Sequence, residues 1–183
     1  METTNIYLYK ALDAYPYELV EAVEAINYAL SYEPNNAQAL FLMGRLHAEQ
    51  LQEIDTAIDY YEAALASEIN LVKAYPYYLD ALIKNEALET AHKFLVFALT
   101  IKAADKALLT FYKGAVLEKE QAFKAAIKAY KEAKKLALNS DFVSFADRQI
   151  VRVKGKLPKK KKAKKKSSKN KKKSNKNKKK GDK

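Results

Sequence analysis

The sequence predicts an all-α protein, in which a right-handed solenoid of about four helix-turn-helix repeats and a capping helix precede a disordered, lysine-rich tail. Three observations favour this fold. Glycine and proline number only 4 each in a chain that is 49% hydrophobic, and a β-sandwich or barrel needs more turn residues. A pattern of small and large apolar residues recurs along the chain. Finally, residues 154–183 contain 18 lysines and one acidic residue, Asp182, so the basic charge is concentrated at one end.

The recurring pattern is an alanine, a large apolar residue four positions later and a second alanine three positions after that. It occurs at Ala22/Ile26/Ala29, Ala57/Tyr61/Ala64, Ala91/Leu95/Ala98 and Ala126/Tyr130/Ala133, and successive first alanines are 35, 34 and 35 positions apart. Steps of four and three place side chains on one face of a helix. Each set therefore predicts a helix whose small-large-small face lets a neighbouring helix approach closely.

A further helix is predicted before each of these sets. In the second and fourth copies it contains a glycine, and Gly44 and Gly114 are 70 positions apart, which is two full periods. A glycine inside a helix costs about 0.5–1 kcal/mol relative to alanine, so a packing reason is expected for it. We expect both glycines to lie where two helices cross at short distance.

These residues resemble the tetratricopeptide repeat, a helix-turn-helix unit of about 34 residues with the pattern W-x2-L-G-x2-Y, then A-x3-F, then P. The second and fourth copies carry the resemblance best, through Met43, Gly44, Ala57, Tyr61 and Ala64 and through Gly114, Ala126, Tyr130 and Ala133. The chain departs from the pattern in three ways. It has no tryptophan, His47 stands at an aromatic position, and the terminal proline occurs only as Pro34.

The resemblance implies a helical domain over residues 1–153, with repeats at about 3–36, 37–71, 72–106 and 107–140. The first helix is expected to be short, from about Thr3 to Ala14, with Pro16 in the first turn of the next helix. Pro76 predicts that the first helix of the third repeat either starts late, near Tyr75, or is kinked.

Residues 141–153 predict an amphipathic helix that caps the last repeat, because a solenoid end would otherwise expose an apolar face. Its apolar side chains are Phe142, Phe145, Ile150 and Val153. Asn139, Ser140 and Asp141 are all suitable N-cap residues for this helix.

In the tetratricopeptide family, the first helices of successive repeats line a concave groove that binds a peptide or a partner helix. The resemblance implies that this groove is lined by Tyr7, Phe41, Leu42, Arg45, Tyr77, Asp80, Phe111 and Tyr112, with Leu8, Glu49, Lys84 and Lys119 alongside. Tyrosine and phenylalanine bring a large contact area with few rotatable bonds. The alternative interpretation is that several of these side chains pack between helices.

The tail, residues 154–183, repels itself and cannot build a core. It has no arginine or aromatic residue, so binding to a polyanion such as RNA or DNA would be independent of base sequence. The predicted polyanion-binding residues are Lys159, Lys160, Lys161, Lys162, Lys164, Lys165, Lys166, Lys171, Lys172, Lys173, Lys178, Lys179 and Lys180. Two alternatives are an A-rich codon bias and, in a eukaryote, a nuclear import signal.

Charge also changes sign along the body. Residues 1–70 contain 12 acidic and 2 basic residues, a net charge of −10, whereas residues 71–153 contain 14 basic and 9 acidic residues, a net charge of +5. Such a gradient is typical either of a protein that binds a bipolar partner or associates head to tail, or simply of solvated faces.

No constellation of catalytic residues is recognisable in the sequence. His47 and His92 are 45 positions apart and no cysteine occurs, so no zinc motif is present. The glycines do not form a phosphate-binding loop, and the serines lie in no nucleophile elbow. We therefore expect no enzyme activity, no cofactor, no metal and no small-molecule substrate.

The predicted function is that of a protein-protein interaction adaptor, with a protein partner in the groove and a polyanion on the tail. The alternative is a chaperone for a secreted or assembling client, for which the tail would be dispensable. The N-terminal residues do not resemble a secretory signal, and the sequence contains no long apolar run. A cytoplasmic location is therefore expected, or a nuclear one in a eukaryote, and a membrane is not expected as a partner.

Overall fold

The computed structural model describes residues 5–158, and every regular element in that range is helical. The helices are α1 (Ile6–Ala14), α2 (Leu19–Tyr32), α3 (Ala37–Leu46), α4 (Ile54–Ser67), α5 (Tyr75–Lys84), α6 (Leu88–Ala98), α7 (Lys106–Lys119), α8 (Phe123–Leu136) and α9 (Ser140–Lys156). A π-helical turn, His47–Leu51, extends α3, and a 3-10 turn, Val72–Ala74, precedes α5. The predicted polyanion-binding lysines, Lys159 to Lys180, lie outside the described residues.

The helices pack in serial order. Each repeat is a pair of contacting helices, α1 with α2, α3 with α4, α5 with α6 and α7 with α8, and the second helix of each pair contacts the first helix of the next. First helices of neighbouring repeats also touch, α1 with α3 and α5 with α7. The prediction of an all-α solenoid built from helix pairs is confirmed.

The recurring alanine pattern forms the contact between the two helices of a repeat. All twelve residues of the four sets are at most 2% exposed. An alanine on each side of a large residue leaves room for the facing helix, because its side chain ends at Cβ. The periodicity therefore locates the core of every repeat.

The two helical glycines lie directly against the large residue of their own repeat. A Cβ atom on Gly44 would lie 2.6 Å from Cε1 of Tyr61, and one on Gly114 would lie 2.7 Å from Cδ1 of Tyr130. Both tyrosines are only 1% exposed and cannot swing out of the way. The expectation that these glycines mark a close approach of two helices is confirmed.

The π-helical turn accommodates one extra residue in the second repeat. Gly44 and Ala57 are 13 positions apart, whereas Gly114 and Ala126 are 12 apart. A π-turn absorbs such an insertion without changing the helices on either side of it. The alanine pattern does not predict this feature, because a difference of one position between copies does not say which element holds the extra residue.

Two N-terminal boundaries differ from the prediction. The first helix begins at Ile6 rather than Thr3, because the Asn5 side chain caps it by accepting a hydrogen bond from the Leu8 backbone N–H (3.3 Å). The placement of Pro16 in the first turn of the second helix is wrong. Pro16 follows a cis peptide bond in the turn before Leu19, where α2 begins. A proline ring disfavours the helical conformation of the residue before it, and Tyr15, which precedes Pro16, is extended. The second helix therefore cannot begin at this point.

The first helix of the third repeat starts late rather than being kinked, and a late start was one of the two predicted alternatives. This helix begins at Tyr75, and Pro76 lies in the first turn, where the missing N–H has no helical partner to lose. The 3-10 turn before it carries the chain into the helix. The Tyr75 hydroxyl donates a hydrogen bond to the Ile69 carbonyl (2.6 Å), which ties this entry to the preceding loop.

The capping helix α9 packs on the last repeat through Ala146, Ile150 and Val153, all buried. Among the three candidate N-cap residues, the Asn139 side chain is the one that accepts backbone hydrogen bonds, from Asp141 (2.7 Å) and Phe142 (3.4 Å). The helix runs to Lys156, past the predicted end at Val153.

Glu118 explains why α9 continues past that point. Its carboxylate, on a residue only 9% exposed, accepts hydrogen bonds from Arg152 Nη1 (2.5 Å) and Nη2 (2.6 Å), Lys156 Nζ (2.7 Å) and the Tyr130 hydroxyl (3.1 Å). Burial alone would raise the pKa of this carboxyl group, but the hydrogen bonds from Arg152 and Lys156 outweigh it and lower the pKa. The last turn of α9 is thus fixed to α7.

Candidate binding groove

A pocket of about 430 Å³ opens on the side of the solenoid formed by the first helices. Residues from the second, third and fourth repeats line it: Ala48, Glu49, Ile54, Tyr61, Pro76, Tyr77, Asp80, Ala81, Lys84 and Tyr112. Seven of the ten are apolar or aromatic and three, Glu49, Asp80 and Lys84, are charged, and polar and apolar groups share the wall about equally. A mixed wall of this kind can contact both apolar and polar groups of a bound polypeptide.

One end of the pocket is built around the pair Arg45 and Glu49. Arg45 donates two hydrogen bonds to the carboxylate, from Nε to Oε1 (3.0 Å) and from Nη2 to Oε2 (2.9 Å). The Tyr15 hydroxyl donates a third to Oε2 (2.6 Å). Burial and the contact with Glu49 raise the pKa of Tyr15 to about 12, so its hydroxyl remains a donor at neutral pH. Burial opposes ionisation of Glu49, yet the hydrogen bonds from Arg45 and Tyr15 lower its pKa overall.

The guanidinium of Arg45 also contacts two aromatic rings. Its Cζ lies 4.9 Å from the ring centre of Tyr15 and 5.0 Å from that of Tyr77. Phe41 meets the Tyr77 ring edge to face, with ring centres 5.2 Å apart and planes at 74°. Cation–π and edge-to-face contacts each hold the rings in one orientation. Phe41 and Arg45 therefore each contact Tyr77 of the pocket wall, although neither lines the pocket itself and Phe41 is only 7% exposed.

Another part of the pocket wall is formed by α5 and α7. Lys84 Nζ lies 2.7 Å from Asp80 Oδ2, and both side chains are about half exposed. Burial, followed by the negative charge of Asp80, raises the pKa of the nearby Tyr112 to about 12. Asp80 and Tyr112 are predicted groove residues, and both line this pocket.

Two of the remaining predicted groove residues lie away from the pocket. Leu42 is only 2% exposed and packs in the core of the first two repeats. Tyr7 stacks on Tyr28 and Tyr32 of α2, with ring centres 5.2 and 5.5 Å away. We therefore leave Leu42 and Tyr7 out of the candidate site.

Phe111 turns toward the capping helix rather than into the pocket. Its ring centre is 5.8 Å from that of Phe142 and 5.0 Å from that of Phe145. The ring of Tyr130 lies on its other side, at 4.9 Å. Phe111 therefore belongs to the contact that holds α9 on the last repeat, which is the packing alternative considered for these aromatic residues.

Tyr15 is a functional candidate that the sequence pattern does not identify. Tyr15 stands four residues after Ala11, so it continues the buried face of α1, and this spacing is the one sequence feature that indicates its burial. The prediction that Pro16 starts the next helix obscures that feature, because it places Tyr15 in a turn, where spacing does not indicate which residues a side chain contacts. The turn instead directs the Tyr15 side chain onto Glu49.

Comparison with solved structures places this architecture among helical-repeat proteins. A structure described as "MamA RS-1 ArsTM double mutant" superposes with a TM-score of 0.64 at 14% sequence identity, covering 85% of this chain and 98% of that chain. In all, 18 chains of solved structures match. No protein-family model matches the chain, and no curated protein matches its sequence. The likeness confirms a tetratricopeptide-like helical-repeat fold.

None of the helices between Asn5 and Pro158 is both long and apolar enough to cross a membrane. The same range contains no group of three or more histidine, cysteine, aspartate or glutamate side chains placed to hold a metal ion.

Proposed function

We propose that this protein is a non-catalytic adaptor that binds a polypeptide segment of a partner in the pocket, while its lysine-rich tail tethers the assembly to a polyanion such as RNA or DNA. The observation that carries the proposal is the pocket itself. Side chains from three consecutive repeats converge on it, so a bound segment would lie along the solenoid, as helical-repeat proteins allow.

The pocket walls suit an apolar or aromatic side chain of the partner. Ile54, Pro76 and Ala81 supply apolar surface, and Tyr77 and Tyr112 supply flat, amphipathic walls. Arg45 already donates hydrogen bonds to Glu49 and contacts the ring of Tyr77, so it holds the Tyr77 side of the pocket in place in the absence of a partner. A rigid wall lowers the entropy lost on binding.

The charged groups at the rim would orient the bound segment. Asp80 and Lys84 pair with each other across one turn of α5 while remaining about half exposed, so each can also contact a polar group of the partner. Exposed pairs of this kind add little to the affinity of binding and more to its orientation.

The proposal can be tested with a peptide selected from a random library against the full chain, measuring its affinity by calorimetry. Tyr77→Ala should weaken binding at least about tenfold, because a central aromatic anchor contributes about 2 kcal/mol or more. Tyr28→Ala is the matched control: Tyr28 is 56% exposed, lies on α2 and does not line the pocket. Equal loss in both variants, or in neither, would reject the groove as the binding site.

A further inference from the structure

The second helix of the last repeat carries a line of four lysines on its exposed face. Lys124, Lys128, Lys131 and Lys135 follow each other at steps of four, three and four, which places them on one side of α8. All four are exposed. At a rise of 1.5 Å per residue they extend over about 16 Å of helix. We refer to these four residues as the lysine stripe.

The stripe is not neutralised by its surroundings. None of its four lysines forms an ion pair with another residue of the range 5–158. The neighbouring cations differ in this respect: Lys134 pairs with Asp147, and Arg152 and Lys156 pair with Glu118. Glu132 is the one acidic residue of α8. An uncompensated row of positive charge attracts an anionic polymer more strongly than scattered ion pairs do.

The part of the tail that follows α9 begins beside this stripe. Leu157 and Pro158 share a surface depression with Phe123 and Lys124 at the start of α8. Lys156 Nζ lies 5.9 Å from the ring centre of Phe123. The 25 residues that follow contain 16 further lysines. The stripe and the tail therefore both start near Lys124. An anionic polymer that is bound by one of them is held at high local concentration near the other.

We infer that the lysine stripe is itself a binding surface for the phosphate backbone of a nucleic acid. This inference rests on the proposed tethering function. A duplex carries one negative charge per about 1.7 Å along its axis, so each lysine of the stripe can meet a phosphate in any base sequence. Lysine binds phosphate as a point charge and does not require a defined geometry.

The exposed face of α8 is less suited to a lipid surface. Helices that bind membranes present an apolar face to the lipid, whereas the apolar face of α8 is buried through Ala126, Ile127, Tyr130 and Ala133. Leu138 is fully exposed in the turn after α8, at one end of the stripe. An anionic vesicle is therefore included in the test as the competing outcome.

The test uses the full chain and three variants of it. In the stripe variant, Lys124, Lys128, Lys131 and Lys135 are replaced by glutamine. In the matched control, the exposed residues Lys93, Lys102, Lys113 and Lys119 are replaced by glutamine, so the change in net charge is the same. In the tail variant, the 16 lysines after Pro158 are replaced by serine.

Binding to a mixed-sequence duplex of 20 base pairs is measured from 50 to 200 mM salt. The slope of log affinity against log salt should become shallower by about 3.6 in the stripe variant, at about 0.9 for each of four phosphates that is no longer neutralised, and by less than about 1 in the control. Equal slopes in stripe variant and control would overturn the inference. The inference would equally fail if the stripe variant bound duplex normally but no longer bound vesicles containing phosphatidylserine.

The tail variant separates the inference from the function it rests on. If the tail variant loses duplex binding while the stripe variant behaves like the control, the tail tethers the protein and the stripe does not. If the stripe variant loses binding and the tail variant does not, the tethering proposal fails while the stripe is supported. If the fourfold variant does not fold, as judged by circular dichroism, Lys128→Gln with Lys131→Gln replaces it, with an expected slope change of about 1.8.

Discussion

Single residues set how closely the helices of each repeat approach. Gly44 and Gly114 each face the ring of a buried tyrosine, at distances that leave no space for a methyl group. The loss of helix propensity at glycine is thus tolerated because the tyrosine fills the space that a side chain would take. Close packing at this point lets the two helices of the repeat approach each other.

Gly44→Ala should lower the free energy of unfolding by about 1–3 kcal/mol, because overpacking against Tyr61 and the Ala57 carbonyl exceeds the gain in helix propensity. Gly155→Ala is the matched control, since nothing lies within 4 Å of the added Cβ atom. That substitution should leave stability unchanged or raise it by up to about 1 kcal/mol. Urea denaturation measures both, and equal effects would show that helix propensity alone decides the outcome.

Glu118 joins the capping helix to the last repeat by charge. Its pKa is lower in the folded protein than the value near 4.3 of an unfolded chain. A group of this kind stabilises the fold above the unfolded-state pKa, and the contribution is lost as the pH falls through the folded-state pKa. The contact between α7 and α9 is therefore weakest in acid.

Glu118→Gln should lower the free energy of unfolding at pH 7 by about 1–2 kcal/mol, since Arg152 and Lys156 are half exposed and can return to water. The difference from the natural protein should shrink as the pH falls below the unfolded-state pKa near 4.3, and it should vanish below the lower folded-state pKa, where the carboxyl group is protonated in both states and resembles an amide. Glu132→Gln, at an exposed position of α8, is the control and should have little effect. A difference that stays constant from pH 7 to pH 3 would contradict the assigned role.

At the scale of elements, the turn inside each of the last three repeats has the same form. Gln52, Glu86 and Gln121 have positive φ angles of 59°, 58° and 61°, and each stands five positions before the first alanine of its repeat. The left-handed region favours glycine, and other residues adopt it at a cost of about 1–2 kcal/mol. These turns therefore place each second helix against its partner despite a local cost.

Gln121→Gly should raise the free energy of unfolding by about 0.5–1 kcal/mol, because it removes the strain of a left-handed conformation. Lys93→Gly, in the middle of α6, is the opposing control and should lower it by about 1 kcal/mol. Thermal unfolding of the two variants measures the difference. A loss of stability with Gln121→Gly would mean that the glutamine side chain matters more than the backbone strain.

The helices follow closely from sequence periodicity, whereas the turns between them do not. Ala57, Tyr61 and Ala64 identify their helix because steps of four and three fit only one local structure. The left-handed turns at Gln52 and Gln121 cannot be predicted from these residues, since glutamine has no preference for the left-handed conformation. Boundaries set by capping, as at Asn5, depend on one hydrogen bond and move by a few residues.

The candidate groove is predictable from the sequence only in part. Phe41, Arg45 and Tyr77 lie together because the first helices keep a common register from repeat to repeat. Phe111 follows the same register but meets α9, which covers the last repeat and diverts its side chain. A residue's position within a repeat predicts its face, but its neighbours outside the repeat decide whether that face is free.

At the scale of the whole molecule, charge and shape divide the chain into distinct surfaces. The pocket lies between the second and fourth repeats, where the acidic N-terminal half meets the basic C-terminal half. The lysine stripe and the start of the tail lie beyond it, on the last repeat. A partner in the pocket and a polyanion at the C-terminal end would therefore occupy separate surfaces.

The central claim is that the face of the first helices binds a polypeptide. The most direct measurement is chemical-shift mapping of backbone amides in the full chain, titrated with the selected peptide. We expect the largest changes at Glu49, Tyr77, Asp80, Lys84 and Tyr112, and small changes at Tyr28 and Val96 on the second helices. Changes centred on α2 and α6, with the pocket residues unmoved, would contradict it.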